Sequence, residues 1–99
     1  MALPKGAYAP NPTPLDDGGL LEQNALNLQL EYLAEGGLDG ALILGTNGEF
    51  PSFEVSERLA LAEAAARFAH GLKLMLGVGS NALPEVIQLV QAARLFGFD

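Results

Sequence analysis

The residues best suited to chemistry lie in one short segment, which reads Gly45, Thr46, Asn47, Gly48, Glu49, Phe50. The segment follows an apolar run at residues 41–44 and precedes a helical pattern, so a strand gives way to a helix through a glycine-rich turn. In parallel α/β folds such a turn lies at the carboxyl end of a strand, where ligands bind. Its free backbone N–H groups could hold a carboxylate or a phosphate.

Five other residues invite a chemical interpretation, but we expect each of them to have a structural role. Glu49 could act as a general base, although a carboxylate near a helix start is more typical of a cap. Asp16 and Asp17 could be drawn as a metal site, but adjacent aspartates before two glycines are typical of a solvent-exposed turn. His70 falls at a predicted helix end. Tyr8 falls in a predicted buried strand, where aromatic residues usually pack.

The composition argues against several classes of function. The 99 residues have a formal net charge of −7 and only five scattered basic residues, so we expect no surface for nucleic acid or an anionic membrane. There is no cysteine and one histidine, so a thiolate metal site is excluded and only carboxylates are plausible metal ligands. No apolar run approaches the roughly 20 residues of a membrane span, and the amino terminus does not read as a secretory signal. These features predict a soluble, cytoplasmic protein.

Three strand-to-helix units are predicted along the chain. The strands are predicted at residues 6–9, 41–44 and 72–78, and the last two lack the polar alternation of half-exposed strands. Three prolines at residues 10–14 exclude a helix or a central strand and predict an extended loop. Because a glycine follows each predicted helix, the pattern indicates right-handed βαβ crossovers and a parallel sheet.

The helices are predicted from apolar residues at helical spacing. The first ends at Gly36, the second spans residues 54–70, and the third begins near Pro84, with Leu83 as its N-cap, and ends before Gly97. The residues expected to face the core are Leu21, Ala25, Leu28, Tyr32 and Leu33 in the first helix, Leu59, Ala62, Ala66 and Ala69 in the second, and Val86, Leu89, Val90, Ala93 and Phe96 in the third.

A short pattern occurs twice. Glycine, an apolar residue and aspartate stand at residues 37–39, between the first helix and the second strand, and again at residues 97–99. The repeat predicts a fourth strand. We therefore interpret residues 1–99 as a single partial domain, the first three units of a longer βα array.

The turn at residues 45–50, with Thr46 and Asn47 between two glycines and before Glu49, resembles the signature of the dihydrodipicolinate synthase and N-acetylneuraminate lyase family. Matches in register extend over essentially the whole chain and include Gly6, Thr13, Pro14, residues 37–45, Ser56, Glu57, Arg58 and residues 77–81. The resemblance implies an α/β fold, namely the amino-terminal portion of a (β/α)8 TIM barrel of an enzyme that is usually a homotetramer.

The resemblance also implies a chemistry. Members of the family are class I aldolases or synthases, in which a lysine forms a Schiff base with pyruvate or another 2-oxo acid, without a metal or cofactor. A protonated imine withdraws electrons from the adjacent carbon, while a hydrogen-bonding pocket holds the carboxylate. By resemblance, Thr46 is catalytic through its hydroxyl group, and the substrate carboxylate is bound by Thr46, Asn47 and Gly48.

Two features depart from the synthase pattern. Asn47 stands where the synthases commonly have threonine, and residues 47–51, with Tyr8 and Pro10, are more similar to the 4-hydroxy-2-oxoglutarate aldolase branch.

Neither lysine of the chain is placed to form the Schiff base. Lys5 precedes the first predicted strand and Lys73 lies at the start of the third, so neither lies at the catalytic end of a strand. The reactive lysine and its tyrosine partners would come from later strands, and the 99-residue chain alone is expected to be inactive.

Two alternatives stay open from the sequence. The first is a nucleotide-binding Rossmann-like module, because Gly77, Gly79 and Ala82 match a loose G-x-G-x-x-G/A fingerprint after a strand, with Asp99 further on. The second is a non-catalytic half-barrel whose open sheet edges drive assembly with other chains.

Overall fold

Three short parallel strands, each followed by a helix, form the framework of the computed structural model, which describes residues 6–99. The strands lie in the order β1-β2-β3, and both pairings are parallel. The elements in chain order are β1 (Tyr8–Pro10), α1 (Gln23–Glu35), β2 (Gly40–Ile43), a turn of 3₁₀ helix (Phe50–Ser52), α2 (Val55–Arg67), β3 (Lys73–Leu76) and α3 (Leu83–Leu95).

The hydrophobic core lies between the sheet and its helices. Alternate residues of β2 and β3, namely Ala41, Ile43 and Leu74, are buried in it. They pack in one cluster with helix residues, of which the buried ones are Leu26, Leu30, Leu61, Ala64 and Ala65. Leu42 and Met75 are register partners that point to the opposite face, because side chains alternate along a strand. Both are only half-buried, and in a closed barrel their face would form the interior.

The buried face of α1 differs from the predicted one. Leu26 and Leu30 are fully buried, whereas Leu28 is 63% exposed and Tyr32 is 76% exposed. Leucine recurs so often in this part of the chain that more than one helical phase fits the apolar pattern. Packing against the sheet selects the phase, which local spacing alone does not determine.

The other two helices follow the predicted faces in part. In α2, Ala62 is buried as predicted, but Leu59 and Ala66 are half-buried, as is Ala69, which lies beyond the end of the helix. The buried face of α2 is completed by Arg58, Leu61, Ala64 and Ala65. In α3, Leu89 is buried as predicted, whereas Val90 is 49% exposed.

Several element boundaries also differ from the predicted ones. β1 includes Pro10, which an edge strand tolerates because the missing N–H leaves no ladder bond unmade there. β2 ends at Ile43, because Leu44 adopts a left-handed conformation with φ of 58°. β3 is confined to Lys73–Leu76.

The helix ends show the same kind of difference. α2 ends at Arg67, and His70, at φ of 52°, lies beyond the helix rather than at its last turn. The N-cap of α3 is Ala82 and not Leu83, so Pro84 is its second residue.

The repeated glycine pattern forms the same helix cap twice. Gly37 and Gly97 have φ of 85° and 84°, which favours glycine. The N–H groups of Leu38 and Phe98 then donate to the carbonyl oxygens five residues earlier, at 3.2 and 2.9 Å. Each helix is thereby ended and the chain is directed back to the sheet.

The aspartate after each cap joins the sheet. The N–H of Asp39 donates to the carbonyl oxygen of Ala7 at 3.0 Å, and that of Asp99 donates to the carbonyl oxygen of Leu74 at 2.8 Å. Asp39 thus lies beside the region of β1, and Asp99 lies beside β3, as a repeated βα unit requires. Within residues 6–99, no helix is long and apolar enough to cross a membrane.

Gly77 provides a test of how closely the ends of β2 and β3 approach. A Cβ atom at Gly77 would collide with the carbonyl oxygen of Leu44 and would lie 3.2 Å from the nitrogen of Gly45. We predict that Gly77→Ala lowers the free energy of unfolding by about 1–3 kcal/mol, measured by urea denaturation.

The matched control is Gly18→Ala. Gly18 has no left-handed φ, and its added Cβ would meet nothing closer than Asp16 Oδ1 at 3.4 Å. We expect this substitution to change the free energy of unfolding by less than about 0.5 kcal/mol. Equal losses in the two variants would contradict the close approach at Gly77.

Candidate functional site

Three loops leave the carboxyl ends of the strands at the same edge of the sheet. They are residues 11–15 after β1, residues 44–49 after β2 and residues 77–82 after β3. Backbone hydrogen bonds fix their first residues, since Asn11 N–H donates to the carbonyl oxygen of Leu42 at 3.0 Å and Gly77 N–H donates to that of Ile43 at 2.8 Å. The glycine-rich turn predicted from the sequence therefore lies in the middle of this edge.

The turn after β2 has a constrained backbone. Leu44 is fully buried at φ of 58°, a conformation that costs a non-glycine residue about 1–2 kcal/mol. Two further hydrogen bonds follow, from Gly48 N–H to the Gly45 carbonyl oxygen at 3.1 Å and from Glu49 N–H to the Thr46 carbonyl oxygen at 3.0 Å. These constraints place Thr46 and Asn47 at the exposed tip of the turn.

The three predicted carboxylate-binding residues fall into two groups. Thr46 and Asn47 are exposed, and their backbone N–H groups have no hydrogen-bond acceptor within residues 6–99. Gly48 is buried and its N–H donates to the carbonyl oxygen of Gly45 in this conformation, and its part in carboxylate binding stays a prediction. A Cβ at Gly48 would lie 2.9 Å from the Cα of Leu44, which shows that this glycine is needed for packing.

The loop after β1 supports the turn from one side. The buried hydroxyl of Thr13 donates to the carbonyl oxygen of Gly48 at 2.7 Å. Asn11 is also buried, and its amide donates to Gln29 Oε1 of α1 at 3.0 Å. From the sequence, Thr13 was only a match in register and Asn11 had no role. The sequence feature that could have indicated their supporting role is the placement of two polar side chains among prolines directly after a strand.

Arg58 supports the loops from the other side. Its side chain is 4% exposed, and its Nη1 and Nη2 donate to the carbonyl oxygens of Gly79 at 2.8 Å and Gly77 at 3.2 Å. The guanidinium carbon lies 5.4 Å from the centre of the Phe50 ring, and a groove of about 640 Å³ runs beside it. Burial lowers the pKa of Arg58 and the charge of Glu85 raises it, and an arginine stays protonated at neutral pH.

The prediction for Glu49 and the prediction for the turn at Asp16 have different outcomes. Glu49 is exposed, has φ of 60° and makes no side-chain cap, so the predicted capping role is wrong. The amino end of α2 is instead stabilised by Glu57, whose Oε1 accepts from the N–H of Glu54 at 2.9 Å. The predicted turn at Asp16 is confirmed, because its Oδ1 accepts from the N–H groups of Gly18 and Leu20.

The remaining singled-out residues lie away from the turn tip. The His70 ring pairs with Asn27 Oδ1 at 2.6 Å. Tyr8 is half-buried with its ring against Gly40, and its buried hydroxyl has no hydrogen-bond partner in residues 6–99. Lys73 is exposed at the first residue of β3, and Lys5 lies outside the described residues. In the described part of the chain, no three acidic or histidine side chains are grouped to hold a metal ion.

The glycines of residues 77–82 are explained by contacts within the chain. The carbonyl oxygens of Gly77 and Gly79 accept from Arg58. A Cβ at Gly79 would lie 2.9 Å from the Phe50 ring, so the second glycine is also required for close packing. The fingerprint spacing therefore has a structural cause that involves no nucleotide.

Thr13 offers a test of the support beneath the turn. Thr13→Val keeps the shape of the side chain but leaves the buried Gly48 carbonyl oxygen without its donor. We predict a loss of about 1–3 kcal/mol in the free energy of unfolding, together with faster amide hydrogen exchange at Gly48. Thr13→Ser keeps the hydroxyl and should stay within about 1 kcal/mol of the wild type. Equal losses in both variants would contradict the role of the hydrogen bond.

Comparison with known proteins agrees with this architecture. The dihydrodipicolinate synthetase family model matches residues 3–99. A probable 2-dehydro-3-deoxy-D-pentonate aldolase of Escherichia coli is 37% identical over 82 residues, which are 82% of this chain and 27% of that protein. A 4-hydroxy-tetrahydrodipicolinate synthase of Thiobacillus denitrificans is 34% identical over 98 residues, which are 98% of this chain and 33% of that protein.

Solved structures show the same relationship. One of them is YagE, a prophage protein of the dihydrodipicolinic acid synthase family from Escherichia coli, crystallised in complex with pyruvate. It superposes with a TM-score of 0.94 at 30% identity, and the match covers 99% of this chain and 33% of YagE. The 2-keto 3-deoxygluconate aldolase from Picrophilus torridus gives a TM-score of 0.90 at 32% identity, covering 97% of this chain and 35% of that protein.

The chain thus spans about a third of the length of the relatives that it matches. The structural neighbours are TIM-barrel enzymes, and the parallel βα unit, which occurs three times in succession here, is the repeating unit of that fold. The Rossmann-like interpretation of residues 77–82 is therefore wrong. The chain belongs to the dihydrodipicolinate synthetase family, and its three βα units form an amino-terminal portion of the (β/α)8 barrel.

Proposed function

We propose that residues 1–99 are a single partial domain, the first three βα units of a class I aldolase or synthase acting on pyruvate or a related 2-oxo acid. The observation that supports this most directly is the pair of adjacent, unpartnered N–H groups at Thr46 and Asn47. The names of the relatives, which are aldolases and synthases, and the pyruvate bound to YagE agree with it.

The two N–H groups provide the site for the substrate carboxylate. Adjacent backbone donors at the carboxyl end of a strand can each donate to a carboxylate oxygen, and such charge-assisted bonds are stronger than neutral ones. The left-handed Leu44 and the buried Gly48 hold the turn in shape before substrate arrives. The donors therefore need no reorganisation on binding, which favours catalysis.

The Thr46 hydroxyl is available for proton transfer. Its side chain lies at the turn tip and makes no hydrogen bond within residues 6–99. In the proposed reaction, a lysine amine attacks the substrate's 2-oxo carbon and water leaves, giving an imine. The protonated imine then accepts the electron pair of a bond at the adjacent carbon, either C–H or C–C. A hydroxyl held beside that centre can pass a proton to or from the reacting groups.

The lysine itself is proposed to come from a later strand. Lys73 starts β3 and so lies at the amino end of the sheet, opposite the turn at residues 44–49. We propose that the 99-residue chain alone is inactive and that the complete enzyme is a cytoplasmic homotetramer that uses no metal or cofactor. Asn47 favours a substrate like that of 4-hydroxy-2-oxoglutarate aldolase over that of dihydrodipicolinate synthase.

Borohydride trapping tests the proposed chemistry. We predict that the complete protein containing these residues gains one reduced pyruvyl adduct when it is treated with pyruvate and borohydride, as measured by intact mass spectrometry. The 99-residue chain, treated in parallel, should gain none. An unmodified complete protein would contradict the Schiff-base proposal. An adduct on Lys73 would contradict the assignment of the lysine to a later strand.

Substitution of Thr46 tests the role of its hydroxyl. We predict that Thr46→Val lowers kcat of the complete enzyme by about 10²–10⁴-fold, because it removes the group proposed to transfer the proton. Thr46→Ser keeps the hydroxyl and should lower kcat by less than about tenfold. The comparison is made from initial rates of pyruvate release or consumption. Similar kcat values in the Val and Ser variants would show that the hydroxyl has no catalytic role.

A further inference from the structure

Arg58 is a buried cation near the amino end of a helix, a position that disfavours positive charge. It is the fourth residue of α2, close to the positive end of the helix dipole, and its side chain is 4% exposed. It is the single charged residue among the buried side chains of residues 6–99. Desolvation of a guanidinium is costly unless polar partners compensate. This position therefore requires a specific explanation.

The partners of Arg58 belong to two loops of the candidate site. Its two terminal nitrogens donate to carbonyl oxygens of Gly77 and Gly79 in the loop after β3. Its guanidinium faces the ring of Phe50, which directly follows the turn at residues 44–49. The side chain thus spans the two loops from behind and leaves the turn tip open.

The loop after β3 is packed so tightly against the turn after β2 that a displacement of one would move the other. Gly77 lies against the backbone of Leu44 and Gly45 so closely that even a methyl group would collide. The ring of Phe50 also lies close to Gly79, where an added Cβ would be 2.9 Å from it. Movement of the loop after β3 would therefore displace Leu44 and Gly45 at the start of the turn, or Phe50 directly after it.

We propose that Arg58 is a positioning residue, which holds the Thr46 and Asn47 N–H groups in their carboxylate-binding arrangement by fixing the loop after β3. The proposal rests on the proposed function above. Arg58 does not touch the substrate in this account. Its action passes through Gly77 to Leu44 and Gly45, and through Phe50.

The geometry requires a guanidinium. Its planar fork donates through Nη1 and Nη2 at the same time, while its face lies over the Phe50 ring. A lysine ammonium is a single centre on a flexible stem and cannot span the two carbonyl oxygens in the same way. Arg58→Lys should therefore keep the charge and lose part of the positioning.

The test compares Arg58→Lys and Arg58→Met with Arg67→Met in the complete protein. Arg67 is a matched control, because it lies on the same helix beside a phenylalanine ring, at 5.7 Å from that of Phe68, but is exposed. We measure KM and kcat for the 2-oxo acid, the melting temperature, and hydrogen exchange at the Gly48 and Glu49 amides. Those two amides report the turn directly, since both are hydrogen-bonded within it.

We expect Arg58→Met to raise KM about 10–100-fold, with kcat changed less than about threefold and with faster exchange at Gly48 and Glu49. Arg58→Lys should give an intermediate rise, and Arg67→Met should match the wild type. A purely structural role would lower the melting temperature and leave KM and the exchange rates unchanged in the folded variants, which would overturn the proposal. Failure of both Arg58 variants to fold would also overturn it.

The outcomes separate this proposal from the proposed function. If the wild-type protein forms no pyruvyl adduct, the Schiff-base function fails, and the exchange of Gly48 and Glu49 in Arg58→Lys alone decides whether Arg58 positions the turn. If the adduct forms but KM and exchange stay unchanged, the function stands and the positioning role is wrong.

Discussion

The close approach of the backbone at Gly77 to that of Leu44 and Gly45 is the constraint on which the rest of the site depends. It is possible only because residue 77 has no side chain. It brings the loop after β3 against the turn after β2, while Thr13 supports the same turn from the loop after β1. The exposed tip at Thr46 and Asn47 is therefore held by two neighbouring loops as well as by the turn's own hydrogen bonds.

The sheet and helices provide the frame for that constraint. Parallel pairing aligns the carboxyl ends of the three strands, and the core of small and aliphatic residues fixes α2 beside the sheet. Arg58 can then reach two carbonyl oxygens at the strand ends. The buried cation and the left-handed Leu44 both oppose local preference, and both lie in or against the loops at the carboxyl edge of the sheet.

Much of this arrangement could be predicted from local signals. The apolar runs and the glycines after each helix predicted the order of elements, and the motif at residues 45–50 indicated the candidate site, because these depend on neighbours in the chain. The buried face of α1 could not be chosen, since leucines at residues 26, 28, 30 and 33 satisfy more than one helical phase and packing decides among them. Arg58 was missed as a support because its partners lie 19 and 21 residues away. The occupied N–H of Gly48 depends on the turn's own hydrogen bonds, which composition does not show.

The central claim is that the N–H groups of Thr46 and Asn47 bind the carboxylate of a 2-oxo acid. The most direct measurement is a crystal structure of the complete protein after reduction of its pyruvate imine with borohydride. The account predicts carboxylate oxygens about 2.7–3.2 Å from the backbone nitrogens of both residues, with Gly48 N–H still donating to Gly45. A trapped carboxylate held elsewhere, with these two N–H groups in contact with solvent alone, would contradict it.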